Sequence, residues 1–141
     1  MGPFPRVSFR NRWNHGPVNQ ETLLLRQAHP NFVKDDLVTS QAFVPFPKDD
    51  GLLSVHDGDQ ISARDAYDLY TQRLGLASHS VWAVSVGESD RENVLGRPDP
   101  LPGNPAHAAI DFSGLPERAW RKVAKRLKAK ALNRGCQYRP R

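Results

Sequence analysis

Hydrophobic positions along this chain come in short runs divided by turn-forming clusters, and their spacing switches between two and 3.6. Residues 21–28, built on TLLLRQA, form a short apolar run ended by His29-Pro30. Proline disfavours helical geometry in the residue before it, so the run reads as a strand, with a helical turn as the competitor. In LVTSQAFVPF, Val38, Ser40 and Ala42 alternate with Thr39, Gln41 and Phe43, the period of a strand, which Pro45 and Pro47 then stop. Residues 52–55 predict a third short strand, closed by the turn pair Asp57-Gly58. Ser62 and Asp65 resemble a capping box, with Asp in place of the preferred Glu. Ala66, Tyr70 and Leu74 follow at helical spacing, flanked by Leu69, and Gly75 supplies a stop. SVWAVSV, residues 80–86, is rich in strand formers and reads as a central strand buried on both faces. Residues 87–105 hold Pro98, Pro100, Pro102 and Pro105 and read as a long loop; HAAIDF, residues 107–112, is a last strand.

A helix completes the order. Trp120, Val123, Ala124, Leu127 and Ala131 fall at i, i+3, i+4, i+7 and i+11, one apolar stripe over residues 117–134. Three strands, a helix, two strands and a helix predict an α+β fold. Its sheet is mostly antiparallel, with about five strands and both helices packed on one face. At roughly 100 to 200 residues per domain, 141 residues make one domain. Residues 1–20, with three prolines and three arginines in no regular period, read as an irregular arm. The domain occupies 21–135, and 136–141 form a basic tail.

Charge changes the picture of that last helix. The chain carries +5 in all, but residues 116–141 hold ten basic residues and one acidic residue, a net +9, which leaves −4 for residues 1–115. Arg118, Arg121, Lys122, Lys125, Arg126, Lys128, Lys130 and Arg134 occupy the circumference outside the apolar stripe. Like charges four apart repel along a helix, so the stripe must hold the element in place by tertiary packing. Such a ridge either is a solvated face or binds polyanions, where neutralising phosphates releases counterions. No zinc-finger spacing, RRM aromatic signature or helix-turn-helix accompanies it, so binding to nucleic acid is expected at backbone phosphates. An acidic partner protein is the other expected partner; the apolar face is too modest for a membrane surface.

The lone Cys136 excludes an internal disulfide, and the longest apolar runs, 23–25 and 81–84, fall far short of a membrane span. With no stretch resembling a secretory signal, the expected location is the cytoplasm.

Polar residues capable of chemistry cluster at predicted strand ends: Arg26, Gln27 and His29; Thr39, Ser40 and Gln41; Ser54, His56 and Asp57; and His107. A nucleophilic hydroxyl needs a base within hydrogen-bond reach and a group to orient that base. Ser40 or Ser54, with His29 or His107 and Asp49 or Asp57, supplies the types, although no G-x-S-x-G elbow marks the nucleophile. The competing reading is that these residues cap turns. His29, His56 and His107 with Asp57 include no HxH, HxxxH or HExxH unit, so no metal site is expected. No P-loop or Rossmann glycine pattern is present, and no cofactor is expected.

Two resemblances bear on function. LLLRQ and VTSQ resemble the first two members of the Arg, Ser, Glu set of ADP-ribosyltransferases, through Arg26 and Ser40. The third is missing, since the late strand is HAAIDF and the nearby acids are Glu88, Glu92 and Asp111. LLLRQAHP, VTSQAFVPFPKDDGLLSV and NPAHAAIDF together resemble a group of small uncharacterised bacterial proteins, over about residues 21–135. That resemblance implies a bacterial cytosolic protein, an accessory member of a multi-protein system such as a defence cassette, and transfers no catalytic residue. The leading expectation is thus a small binding or adaptor subunit that contacts nucleic acid or an acidic partner through its basic helix, with the proline-rich loop 91–105 as a second surface. The alternative is a small enzyme, ADP-ribosyltransferase-like or hydrolytic, whose pocket is built from Arg26, His29 and Ser40 with His56 and His107 nearby.

Overall fold

The computed structural model describes residues 19–141; of the expected arm, residues 1–20, only Asn19 and Gln20 fall within the described residues. The strands are β1 (Leu23–Ala28), β2 (Val33–Lys34), β3 (Leu37–Val38), β4 (Leu52–Asp57), β5 (Ser80–Ser85), β6 (Leu95–Pro98) and β7 (His107–Asp111). The α-helices are α1 (Ala63–Asp68), α2 (Val86–Arg91) and α3 (Trp120–Arg134). Five strands form one antiparallel sheet in the order β5-β1-β4-β7-β6, and β2 pairs with β3 as a small separate hairpin. The fold is α+β, as the order of elements predicts.

Alternation along the strands sorts the core into two layers. Leu24, Ala28, Leu53, Val55, Trp82 and Ile110 face α3, whose Trp120, Val123, Ala124, Leu127 and Ala131 are all buried. Leu25, Val81 and Ala83 face the other way, onto Ala66, Ile61 and Tyr67 in and around α1. The helices therefore cover both faces, a correction to the expected single face. The reason lies in β5, whose six residues are all buried and so need cover above and below.

β5 is also not central. It sits at the end of the strand order, beside β1 alone. Its outer side is occupied by the chain's own last residues: the Val81 N–H donates to the Tyr138 carbonyl and the Gln137 N–H to the Val81 carbonyl, both at 2.8 Å.

Three further elements differ from expectation. Residues 40–43 form a 3-10 turn (Ser40–Phe43), not a strand. Ala42 and Phe43 are adjacent and both buried, against α3 and the sheet, which two-fold alternation cannot provide. The supposed loop 87–105 contains α2 and β6. Ser85 and Glu88 form a complete capping box for α2, and β6 tolerates Pro98 because it lies at the sheet's edge. α1 begins as expected, with the Ser62 hydroxyl accepting from Asp65 N–H, but Leu69–Arg73 widens into a π-turn. That rotates the later residues off the apolar stripe and leaves Leu74 48% exposed.

A 3-10 turn (Glu117–Ala119) leads into α3. Trp120 closes its first turn: Nε1–H donates to the carbonyls of Phe112 (3.1 Å) and Leu115 (3.2 Å) while the ring packs edge-on against Phe112. Gly135, at φ +98°, ends the helix and returns its N–H to the Ala131 carbonyl. Among the described residues, no helix is long and apolar enough to cross a membrane.

Candidate functional site

The β1–β4 ladder is short. Only Leu24 with Asp57 and Leu25 with His56 are paired, whereas β1 pairs with β5 along six residues. Where the ladder stops, a side chain takes over. Arg26 Nε–H donates to the Ala42 carbonyl at 2.7 Å and an Nη1–H to the Ser54 carbonyl at 3.0 Å, so the guanidinium serves β4 and the Ser40–Phe43 turn at once. Burial lowers its pKa to about 10, with Tyr70 and Asp49 opposing the shift, and it stays charged at neutral pH.

Over this parting lies a cleft of about 200 Å³. β1 contributes Arg26 and Gln27, β4 contributes Ser54 and His56, and His107 and Asn104 come from the β6–β7 hairpin. Tyr70, Leu74, Leu76 and Leu101 complete the wall. The last three are nearly half exposed, an apolar rim around a polar floor.

On that floor Ser54 Oγ lies 3.2 Å from His107 Nε2. His107 Nδ1 faces only oxygens, the Asp99 carbonyl at 2.8 Å and the Asp99 carboxylate at 3.4 Å. Neither oxygen can donate, so Nδ1 holds the proton and Nε2 presents its lone pair to the serine hydroxyl. His56, directly opposite His107 in register, bonds to Asn104 Oδ1 through Nε2 at 2.8 Å. Desolvation lowers its pKa, with the Asn104 bond opposing, and keeps the ring neutral. Gln27 accepts from the Ser78 hydroxyl through Oε1, but its Nε2, buried in a side chain 6% exposed, has no partner.

Of the residues singled out in the sequence, Arg26, Gln27, Ser54, His56 and His107 line this cleft; His29 and Ser40 do not. His29 accepts from Asn31 N–H through Nδ1 and packs on Phe32. Ser40 opens the 3-10 turn. Asp57 accepts from Asp59 N–H and from Gln60 Nε2–H, a turn cap in place of an orienting carboxylate. Asp99 escaped sequence reasoning because it sits in the stretch read as loop. The signal was the Pro102-Gly103-Asn104 turn, which folds Asp99 back beside His107 through an Asp99 N–H bond to the His107 carbonyl at 3.0 Å. Among the described residues, no three His, Cys, Asp or Glu side chains gather as metal ligands.

The basic helix forms a second, separate surface. Arg126 pairs with Glu92, and Arg134 pairs with Glu88 while also donating to the Ala83 carbonyl. Those two cations tie α3 to the body. Arg118, Arg121, Lys122, Lys125, Lys128 and Lys130 make no ion pair or hydrogen bond with described residues, and all but the half-buried Lys128 are exposed. Ala129 and Asn133 share the outward face, so it carries no large apolar side chain.

Comparison of the chain with protein-family models, with curated proteins and with solved structures found no match.

Proposed function

We propose that this protein is a nucleic-acid-binding module that grips phosphate backbones with the outward face of α3. The observation that carries the reading is the division of labour among the helix cations: Arg126 and Arg134 form ion pairs with Glu92 and Glu88, Lys130 lies within electrostatic reach of Glu88, and Arg118, Arg121, Lys122, Lys125 and Lys128 have no acidic partner among the described residues. From Arg121 to Lys130 the ridge runs about 14 Å along the helix, long enough to meet several phosphates at one charge per ~1.7 Å of duplex axis. A nucleic acid suits this face better than an acidic protein. Stable protein interfaces rest on buried aromatic or aliphatic anchors, and the face offers none. No zinc-finger spacing, RRM signature or helix-turn-helix accompanies the ridge, so recognition is of the backbone and indifferent to sequence.

The test is fluorescence anisotropy of the full chain with a labelled mixed-sequence DNA duplex at 50 to 200 mM salt. Binding should weaken by about 500-fold across that range if roughly five phosphates are contacted, and the triple variant Arg121→Glu, Lys122→Glu, Lys125→Glu should abolish it. Wild-type affinity in the triple variant, with its circular dichroism unchanged, would overturn the reading.

A further inference from the structure

We infer that the cleft over the β1–β4 parting is a hydrolytic site for small carboxylic esters, with Ser54 as nucleophile and His107 as general base. Three independent features converge on acyl transfer. The first is the Ser54–His107 contact at 3.2 Å, in the tautomer that leaves Nε2 free to accept the serine proton. The second is Asp99, whose carbonyl and carboxylate both hold the Nδ1 side of the ring, the orienting role that a base requires. The third is the Gln27 amide. A buried N–H without an acceptor is destabilising, and this one belongs to a residue that lines the same cleft. A substrate carbonyl oxygen would satisfy it, and more strongly as that oxygen gains charge.

The chemistry closes without an outside oxidant or cofactor. Ser54 Oγ adds to the carbonyl carbon while its proton passes to His107 Nε2, and the oxyanion accepts from Gln27 Nε2–H. The tetrahedral adduct collapses, the C–O bond to the alcohol breaks, and His107 returns the proton to the leaving alkoxide. Water then adds to the acyl-serine with His107 again taking a proton; Ser54 leaves and is reprotonated, releasing the carboxylic acid. His56, held neutral and bonded to Asn104, places no positive charge beside His107 that would weaken it as a base.

The surroundings select the substrate class. A phosphoester would bring negative charge that needs cations, and the cleft's one guanidinium, Arg26, is already spent on two backbone carbonyls. Leu74, Leu76 and Leu101 instead offer an apolar rim. At about 200 Å³, the space suits a short acyl chain.

The test uses the full chain, with p-nitrophenyl butyrate as substrate and a fluorophosphonate as active-site label. Turnover above the buffer rate is expected, together with one adduct per chain located by mass spectrometry on Ser54. Ser54→Ala, at an exposed strand position, should remove both, and His107→Gln should remove turnover. Gln27→Leu should lower kcat by roughly 100- to 1,000-fold with KM changed little, a split that a structural role would not produce. Absence of any adduct on Ser54 would overturn the inference, as would wild-type turnover in Ser54→Ala or cleavage of p-nitrophenyl phosphate in preference to the butyrate.

Discussion

Arg134 clasps Glu88 with two parallel hydrogen bonds, Nη1 to Oε1 at 2.8 Å and Nη2 to Oε2 at 3.1 Å. The same carboxylate accepts from the Ser85 N–H that begins α2, and the same guanidinium reaches the Ala83 carbonyl of β5. One ion pair therefore joins the end of α3, the start of α2 and the sheet. Burial alone would raise the Glu88 carboxyl, but the bonds from Arg134 and Ser85 outweigh it and hold it below the usual 4.5. A depressed carboxyl contributes stability above its unfolded pKa and loses it as pH falls through the folded value. Wild type should thus lose stability below about pH 4.5 more steeply than Glu88→Gln, as chemical denaturation at stepped pH would show. At pH 7, Arg134→Met should cost about 1 kcal/mol, above an exposed pair and below a buried one.

His56 sets a second pH window. Burial holds its imidazole below 6.5, so the unfolded chain takes up a proton before the folded one does. Stability from this residue is complete above about pH 6.5 and is lost as pH falls from there through the lower folded value. The urea midpoint of wild type should drop between pH 7.5 and 5 by more than that of His56→Gln. Parallel curves would show that the buried ring contributes nothing to the dependence.

Arg26 does work that lysine cannot. Its two bonds leave from different nitrogens of a planar fork toward carbonyls on separate segments, whereas an ammonium is a single shorter point of charge. Arg26→Lys should destabilise by about 2–3 kcal/mol, since a buried carbonyl loses its donor. Thermal or urea unfolding at pH 7 measures it, and a near-neutral result would mean that the strand ends tolerate separation.

Trp120 anchors the basic helix. Trp120→Ala removes a buried ring and two hydrogen-bonding contacts and should cost about 3–5 kcal/mol. Gly51 gives an independent check on the same packing. It stands at φ +80°, and a Cβ there would lie 3.0 Å from Ser113 N and 3.2 Å from the Trp120 ring. Gly51→Ala should therefore destabilise as well, through strain and a clash rather than a cavity. A thermal melt of each variant reads the difference.

α3 was legible in the sequence because its signal is redundant. Five apolar positions follow one period over twelve residues, and every one is buried. Residues 38–43 show how a shorter signal misleads: six alternating residues suggested a strand, but Ala42 and Phe43 pack side by side under α3. For α2 the cue was present in Ser85-x-x-Glu88, and the prolines that follow it hid a six-residue helix and a four-residue strand. The cleft was half legible. Ser54 and His107 stood among the weighed pairs, but they meet through the register of β4 with β7, which composition does not encode. Asp99 and Gln27 acquire meaning only from a hairpin turn and from a ladder that stops early.

The seal on β5 has a consequence for how the protein behaves in a crowd. A sheet grows by recruiting strands to open edges, and both edges here are blunted in different ways. Gln137 and Tyr138 occupy the backbone groups of Val81 on one side, and Pro98, which lacks an N–H, interrupts β6 on the other. Cleavage after Gly135 would leave the layer under α3 intact, strip Tyr138 from the smaller layer, and bare an apolar strand with unmet donors and acceptors. Protein trimmed in this way should exchange or stack strands with its neighbours, so the last six residues act as a guard against self-association.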